Sequence, residues 1–231
     1  MAPSELPGEP ADRMRRSDGA QTRERLLLSA LRLFAEKGYE RTSTREIAHS
    51  AHANVGAIAY YFGDKQGLYR AAFTEVTGNP RDDIAAFADP ALSLHQALLA
   101  VYRGFAEPFE LGELPRLCTR LHLREMIEPT GAWQTHIQMD LRPYHQALTE
   151  VLRRHLGLPR PDDDLYRLAF AIVSLGVYLY VGQDLIDDLC PSLMADAPAI
   201  HRWAERMAEH ALAMVQAEAR RRGLPLPTDN P

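Results

Sequence analysis

The chain of 231 residues carries 26 Lys plus Arg against 31 Asp plus Glu and is 46% apolar, the proportions of a globular protein of one or two domains with an ordinary core. Its two cysteines, Cys118 and Cys190, form no CxxC pair and no even framework, which excludes a disulfide-stapled secreted scaffold. The net charge of −5 conceals an asymmetry, since residues 13–70 hold 11 Lys/Arg and 6 Asp/Glu while residues 71–231 hold 15 and 22; a basic opening joined to an acidic remainder points to a polyanionic partner for the first part only.

In chain order, residues 1–18, with Pro3, Pro7 and Pro10 and no apolar h-region, read as a disordered tail rather than a signal peptide. Helical periodicity dominates from there, and strand alternation is nearly absent. Thr22 is expected to cap a first helix that puts Leu27, Ala30, Leu31, Phe34 and Ala35 on one face and stops at Gly38. Ser43-Thr44-Arg45-Glu46 reads as a capping box, with the Ser43 hydroxyl accepting from the amide of Glu46 and Glu46 reaching back, and opens a short second helix through Ala51. Asn54 is a good N-cap for a third helix, Val55 to Phe62, and Asp64 for a fourth that runs to Gly78.

Two short helices joined by a tight turn, behind a longer one and inside the basic segment, have the layout of a helix-turn-helix. A helix that reads base edges in the major groove benefits from small or polar groups in its first turn, which Asn54, Val55, Gly56 and Ala57 supply. Tyr60 and Tyr61 offer phenolic hydroxyls to phosphate oxygens, while Lys65 and the group Thr42, Ser43, Thr44 and Arg45 are placed to clamp the DNA backbone at the two ends of the unit.

The run Gly38 to Phe73 resembles the DNA-binding domain of the TetR family of bacterial transcriptional regulators. The matching features are Phe34-Ala35-Glu36-Lys37-Gly38-Tyr39, Thr44-x-x-Ile47-Ala48 and Tyr61-Phe62-x-x-Lys65-x-x-Leu68. Two departures stand out: His52 occupies a turn position where members usually carry Gly, and Ala59 one where they usually carry Tyr. Histidine tolerates the left-handed conformation better than most residues, so the turn is expected to survive; the phosphate contact assigned to that Tyr has to move, with Tyr60 the candidate.

Beyond Asn79-Pro80 and Asp89-Pro90, which read as breaks, helical patterning resumes over Leu92–Phe105, Leu114–Ile127, Trp133–Leu156, Leu165–Asp188 and Pro198–Arg222. This predicts an all-α protein with a DNA-binding domain at 19–78, a second helical domain at 79–222, for which the TetR resemblance implies effector binding and dimerisation, and a flexible tail at 223–231. The stretch Leu168 to Gly182 is apolar on more than one face, too short for a bilayer, and suited to a buried helix or a helix–helix interface. The segment Arg124 to Thr130, followed by Leu141-Arg142-Pro143, resembles the carboxy-terminal domain of the CecR-like branch of the TetR family. The resemblance implies a homodimer joined through the last two long helices and a small-molecule effector bound in the second domain.

Candidate lining groups for that effector combine apolar surface with a polar tip: Tyr102, Phe105, His122, Met126, Trp133, His136, Tyr144 and Tyr178, with His122 and Arg124 as anchors. Their character predicts an apolar or aromatic effector. Nine histidines include no HExxH, and the i, i+3 pair His49/His52 reads as surface groups. Asp162-Asp163-Asp164 stands directly before a helix, where capping and the helix dipole account for it. No GxSxG, GxxxxGK[ST] or GxGxxG is present, so neither an enzyme nor a cofactor is expected. The sequence reads as a cytoplasmic regulator with no membrane partner, a homodimeric repressor released from a palindromic operator by its effector. An activator of the same fold and a helical ligand-binding protein without operator recognition are the alternatives.

Overall fold

The computed structural model describes residues 10–76, 80–130, 138 and 141–227, with side chains in 18–76, 84–130, 138 and 141–227. The chain divides into two compact units, Met1–Val76 and Thr77–Pro231.

The first unit contains α1 (Pro10–Lys37), α2 (Thr44–Ser50), α3 (Val55–Phe62) and α4 (Lys65–Thr74). Its core is built on Leu26, Leu27, Ala30, Leu31, Phe34 and Ala35 of α1, the face expected from their spacing, against Ile47 and Ala48, Ile58, and Leu68, Tyr69, Ala72 and Phe73. Phe34 meets Tyr69 edge-on at 4.9 Å between centroids and Tyr39 meets Tyr69 at 5.1 Å, arrangements that suit the aromatic quadrupole. The start of α1 differs from expectation. The helix begins at Pro10, so residues 10–18 are helical rather than tail, while 1–9 lie outside the described residues. Thr22 is inside the helix, donating its hydroxyl to the carbonyl of Asp18 at 2.8 Å, a back-bond that competes with capping. Gly38, at φ +83, ends α1 as expected.

The second unit contains α5 (Pro80–Ala88), α6 (Leu94–Glu110), α7 (Glu113–Ile127), α8 (Arg142–His155), α9 (Asp163–Val181), α10 (Gln183–Leu189) and α11 (Ala197–Arg221), with a 3₁₀ turn at Pro191–Leu193. Pro80 and Pro90, read as breaks, bracket α5: Pro80 is its first residue, where a missing N–H costs nothing. α6 runs five residues past Phe105, through Pro108; the proline withdraws a donor from the carbonyl of Gly104, on the exposed side of the helix. Ser93 and Gln96 form a full capping box at its start. The single helix expected from Leu165 to Asp188 is interrupted at Gly182, where a Cβ would lie 2.7 Å from the Tyr178 ring.

The core of this unit is the packing of α6 on α11. Leu94, Ala97, Leu98, Val101 and Tyr102 bury against Ala204, Ala208, Ala211, Val215 and Ala219, small side chains at helical spacing that let the two axes approach. The Tyr102 hydroxyl donates to the carbonyl of Ile172 at 2.9 Å, tying α6 to α9. Asp162 caps α9 by accepting from the amide of Leu165 at 2.9 Å and pairs with Arg222 at 2.6 and 2.8 Å; Arg221 pairs with Asp164 at 2.7 Å. Among the described residues α9 is the one helix long and apolar enough to cross a membrane by length and composition. One face of it is buried in the unit through Leu165, Leu168, Ala169, Ile172 and Leu179, while Tyr166, Phe170, Tyr178 and Val181 remain exposed. That is the two-faced pattern its sequence predicts.

Candidate functional site

Local side-chain to backbone bonds place the helix-turn-helix. Ser43 accepts from the amide of Glu46 at 3.1 Å and starts α2. The reciprocal half of the expected box is absent: the Glu46 carboxylate turns instead to Lys37, and the hydrogen bond to Lys37 holds its pKa below the usual carboxylate range. The turn then passes through His52, at φ +49 the only non-glycine residue with positive φ among the described residues. The expectation drawn from histidine's tolerance of that region holds. Asn54 accepts from the amide of Gly56 at 2.8 Å and starts α3, and Asp64 accepts from the amide of Gly67 at 2.7 Å and starts α4.

Two glycines are demanded by this geometry. Gly63, at φ +80, closes α3. A Cβ on Gly67 would lie 1.9 Å from the carbonyl oxygen of Phe62, so the turn between α3 and α4 closes only around a residue without a side chain.

The predicted contact residues fall into three groups. Asn54, Val55, Gly56 and Tyr60 are exposed on α3 and at its start, together with Ala59, while Ala57 is half-buried; Tyr60 is 82% exposed. Ile58 anchors the opposite side of the helix. At the flanks Ser43 and Arg45 are exposed and Thr44 half-buried. Tyr61 is half-buried and meets Tyr60 edge-on at 4.8 Å. Lys65 sits at the start of α4 with its ammonium 4.1 Å from the centre of the Tyr39 ring, a cation–π contact that orients the charge. Thr42 is the exception. It is 1% exposed, and its hydroxyl lies 2.8 Å from the carbonyl of Gly38 and 3.2 Å from that of Leu33, so it braces the end of α1 and faces no solvent. Sequence reasoning missed Arg23, whose guanidinium lies over the Phe62 ring at 4.9 Å and pairs with Glu75 at 2.8 Å.

The second unit holds a separate cavity of about 460 Å³ lined by Phe87, Val101, Arg103, Gly104, Phe105, Glu107, Thr119, Tyr144 and Tyr180, with Ala86 and Ala100. The volume is in the range of small-molecule sites, and the walls are mostly apolar. Phe87 and Tyr144 meet at 4.9 Å; the Tyr180 hydroxyl donates to the carbonyl of Phe105 at 2.6 Å. Gly176 makes room for Phe105, since a Cβ there would stand 2.4 Å from the ring.

Of the eight predicted lining residues, Phe105 and Tyr144 line this cavity. Tyr102 is packed in the core, where burial raises its pKa. Tyr178 and Met126 are exposed elsewhere on the unit. His122 is bonded to the carbonyl of Cys118 at 2.7 Å, and Arg124 to Glu128 at 3.2 Å, one turn away on α7; neither is among the lining groups. Trp133 and His136 lie outside the described residues. The charged pair Arg103 and Glu107, i and i+4 on α6, was missed by reasoning that sought aromatic rings.

Comparison with known proteins bears on both units. The family model described as the C-terminal domain of the HTH-type transcriptional dual regulator CecR matches residues 94–218, and that described as bacterial regulatory proteins, tetR family, matches residues 26–72. The chain is 27% identical over 179 residues to the HTH-type transcriptional dual regulator CecR of Shigella flexneri, across 73% of this chain and 79% of that protein. It is 29% identical over 143 residues to the HTH-type transcriptional repressor AcnR of Corynebacterium diphtheriae, across 62% and 70%. Among solved structures, a bacterial regulatory protein in the tetR family from Rhodococcus RHA1 superposes with a TM-score of 0.62 at 24% identity, over 84% of this chain and 96% of that one. The hemolysin II transcriptional regulator HlyIIR superposes with a TM-score of 0.56 at 22% identity, over 77% and 97%.

Proposed function

The chain belongs to the TetR family of bacterial DNA-binding transcriptional regulators, in its CecR-like branch, and from that premise we propose that it is a cytoplasmic homodimeric repressor whose operator affinity is lowered by a small-molecule effector. α3 enters the major groove, with Asn54, Val55, Gly56 and Ala57 toward the bases. Tyr60, Tyr61, Lys65, Ser43, Thr44 and Arg45 hold the phosphates. The observation that carries this reading is the open face of α3, capped by Asn54 and leading to the fully displayed Tyr60, between flanks that bear Arg45 and Lys65.

Dimerisation is assigned to α9 and α11. The exposed stripe Tyr166, Phe170, Tyr178 and Val181 is more apolar surface than a helix covered on one side needs, and Ala213 and Ala217 offer small exposed side chains on α11. Two copies of α3 held about 34 Å apart read a palindrome through successive major grooves. The effector is an apolar or aromatic molecule held in the 460 Å³ cavity. It lowers operator affinity by binding the released conformation more tightly than the DNA-bound one, which is the only way a ligand shifts such an equilibrium.

The test is an anisotropy titration of the purified protein against a labelled duplex from its own upstream intergenic region, at two salt concentrations, with a scrambled control. The expected result is tight, selective, salt-sensitive binding by a dimer, lost in a Tyr61→Ala/Lys65→Ala double variant; equal affinity for the scrambled duplex overturns operator recognition. Light scattering on Phe170→Glu checks the interface, with a shift to monomer expected.

A further inference from the structure

The helix assigned to the major groove lacks the groups that usually read bases. Its sequence, Val-Gly-Ala-Ile-Ala-Tyr-Tyr-Phe, holds no Arg, Lys, Asn, Gln, Asp or Glu. Bidentate recognition of guanine needs a guanidinium or ammonium, that of adenine an amide, and cytosine a carboxylate acceptor. The amide at its start, the N-cap Asn54, already accepts from the Gly56 amide at 2.8 Å through Oδ1, so that side chain is held in place as the cap and is not free to turn its Oδ1 and Nδ2 together along an adenine edge.

What the exposed face of α3 does present is methyl groups and bare backbone. Val55 is 42% exposed, Ala59 is exposed one turn later, and Gly56 between them has no side chain to hold the backbone away from the groove. The single apolar feature of the major-groove floor is the C5-methyl of thymine. Val55 and Ala59, four residues apart, are separated by about 6 Å along the helix, which spans about two base-pair steps at 3.4 Å each.

We infer that α3 reads its half-site through thymine methyls, with Val55 and Ala59 as the specificity-determining residues and thymines placed about two base-pair steps apart along the path of the helix. The inference rests on α3 being the recognition helix. Replacing the methyls without touching any hydrogen-bonding edge separates it from every readout by polar groups, because deoxyuridine pairs as thymidine does and lacks only C5-methyl.

The experiment selects duplexes from a randomised pool with the full-length protein, then measures dissociation constants for the selected site with deoxyuridine in place of thymidine one position at a time in both half-sites. Burying one methyl is worth about fourfold in affinity. The expected loss is therefore about fifteenfold when the same position is changed in both half-sites, confined to one or two positions, with uridine elsewhere neutral. Val55→Ala, at an exposed position that leaves the fold intact, brings the thymine-to-uridine ratio at one of those positions close to one. If uridine is neutral everywhere while Val55→Ala or Tyr60→Ala still weakens binding to the selected duplex, methyl readout is overturned and α3 stands as the recognition helix. If Val55, Ala59 and Tyr60 variants all bind as the wild type does, α3 itself is not the reader. A selection that enriches no sequence overturns both.

Discussion

The two units of this chain carry their chemistry in opposite ways. In the first, the candidate contact groups are displayed: Val55, Ala59 and Tyr60 stand on the open side of a helix whose start, turn and end are set by Asn54, His52 and Gly63 within a few residues. In the second, the candidate site is a space left over by packing, bounded by side chains from α5, α6, α7, α8 and α9 that are far apart in sequence. A displayed surface depends on local backbone geometry and tolerates changes to its side chains. A cavity depends on long-range packing and is altered by any change in volume at its walls. Substitutions in one unit should therefore damage a different property from substitutions in the other.

The largest effect is expected at Gly67. A methyl there meets the Phe62 carbonyl oxygen at 1.9 Å, and neither partner of that clash is a flexible side chain. Gly67→Ala should cost about 3 kcal/mol of stability in the first unit, at the upper end of overpacking penalties, and abolish selective operator binding. The helical content of the second unit should survive. Circular dichroism melting alongside an operator titration reads both, and unchanged operator affinity would show that the turn between α3 and α4 relaxes freely.

Gly176 is the counterpart in the second unit. Gly176→Ala places a methyl 2.4 to 2.8 Å from three ring atoms of Phe105, so the ring has to swing toward the cavity it lines. The expected cost is about 1 to 2 kcal/mol, with operator affinity within twofold of wild type and the response to effector lost. Should the effector response remain, the cavity beside Phe105 is not the effector site.

Removing the N-cap of α3 comes next. Asn54→Ala leaves the Gly56 amide without its acceptor and should cost about 1 kcal/mol, against a larger proportional loss in operator affinity because the first turn of α3 is the part assigned to the bases. A matching loss in stability with unchanged affinity would mean that the first turn plays no part in DNA contact.

These contrasts also account for what could be read from the sequence. Ser43, Asn54, Asp64 and Asp162 were all legible as caps because each bond closes within three residues. Thr22 had the same local signature, but the chain upstream of it continues the helix to Pro10, and nothing in a four-residue window distinguishes a cap from an interior back-bond. The cavity was legible only in part. Tyr178 and Tyr180 both belong to the largely apolar stretch Leu168 to Gly182, so periodicity could not tell which of them faces Phe105; packing turns Tyr180 inward and leaves Tyr178 half in solvent. Thr42 misled for a related reason: the turn it caps buries it, which depends on how α1 ends rather than on its neighbours in sequence.

The smallest effect concerns protonation and arises in the second unit. His145 on α8 lies under the exposed Phe170 ring at 4.2 Å, stacks with Tyr166 at 6.1 Å and touches Thr149 through Nδ1 at 3.4 Å, while its Nε2 is buried without a partner among the described residues. Burial lowers its pKa, and burial with the charge of Arg154 lowers that of His155. Folded pKa values below the unfolded one mean that the unfolded chain binds protons first as pH falls. The stabilising contribution is thus fully present above about pH 6.5 and is lost progressively below it. Unfolding of the second unit between pH 6.5 and 5 should take up fewer than about two protons from these rings, and His145→Phe should flatten the slope. Because Phe170 belongs to the stripe assigned to the dimer, a partner laid over it would bury His145 further and steepen the slope with protein concentration. A pH dependence of melting that is identical in the Phe170→Glu monomer and in wild type would separate the histidine from the interface.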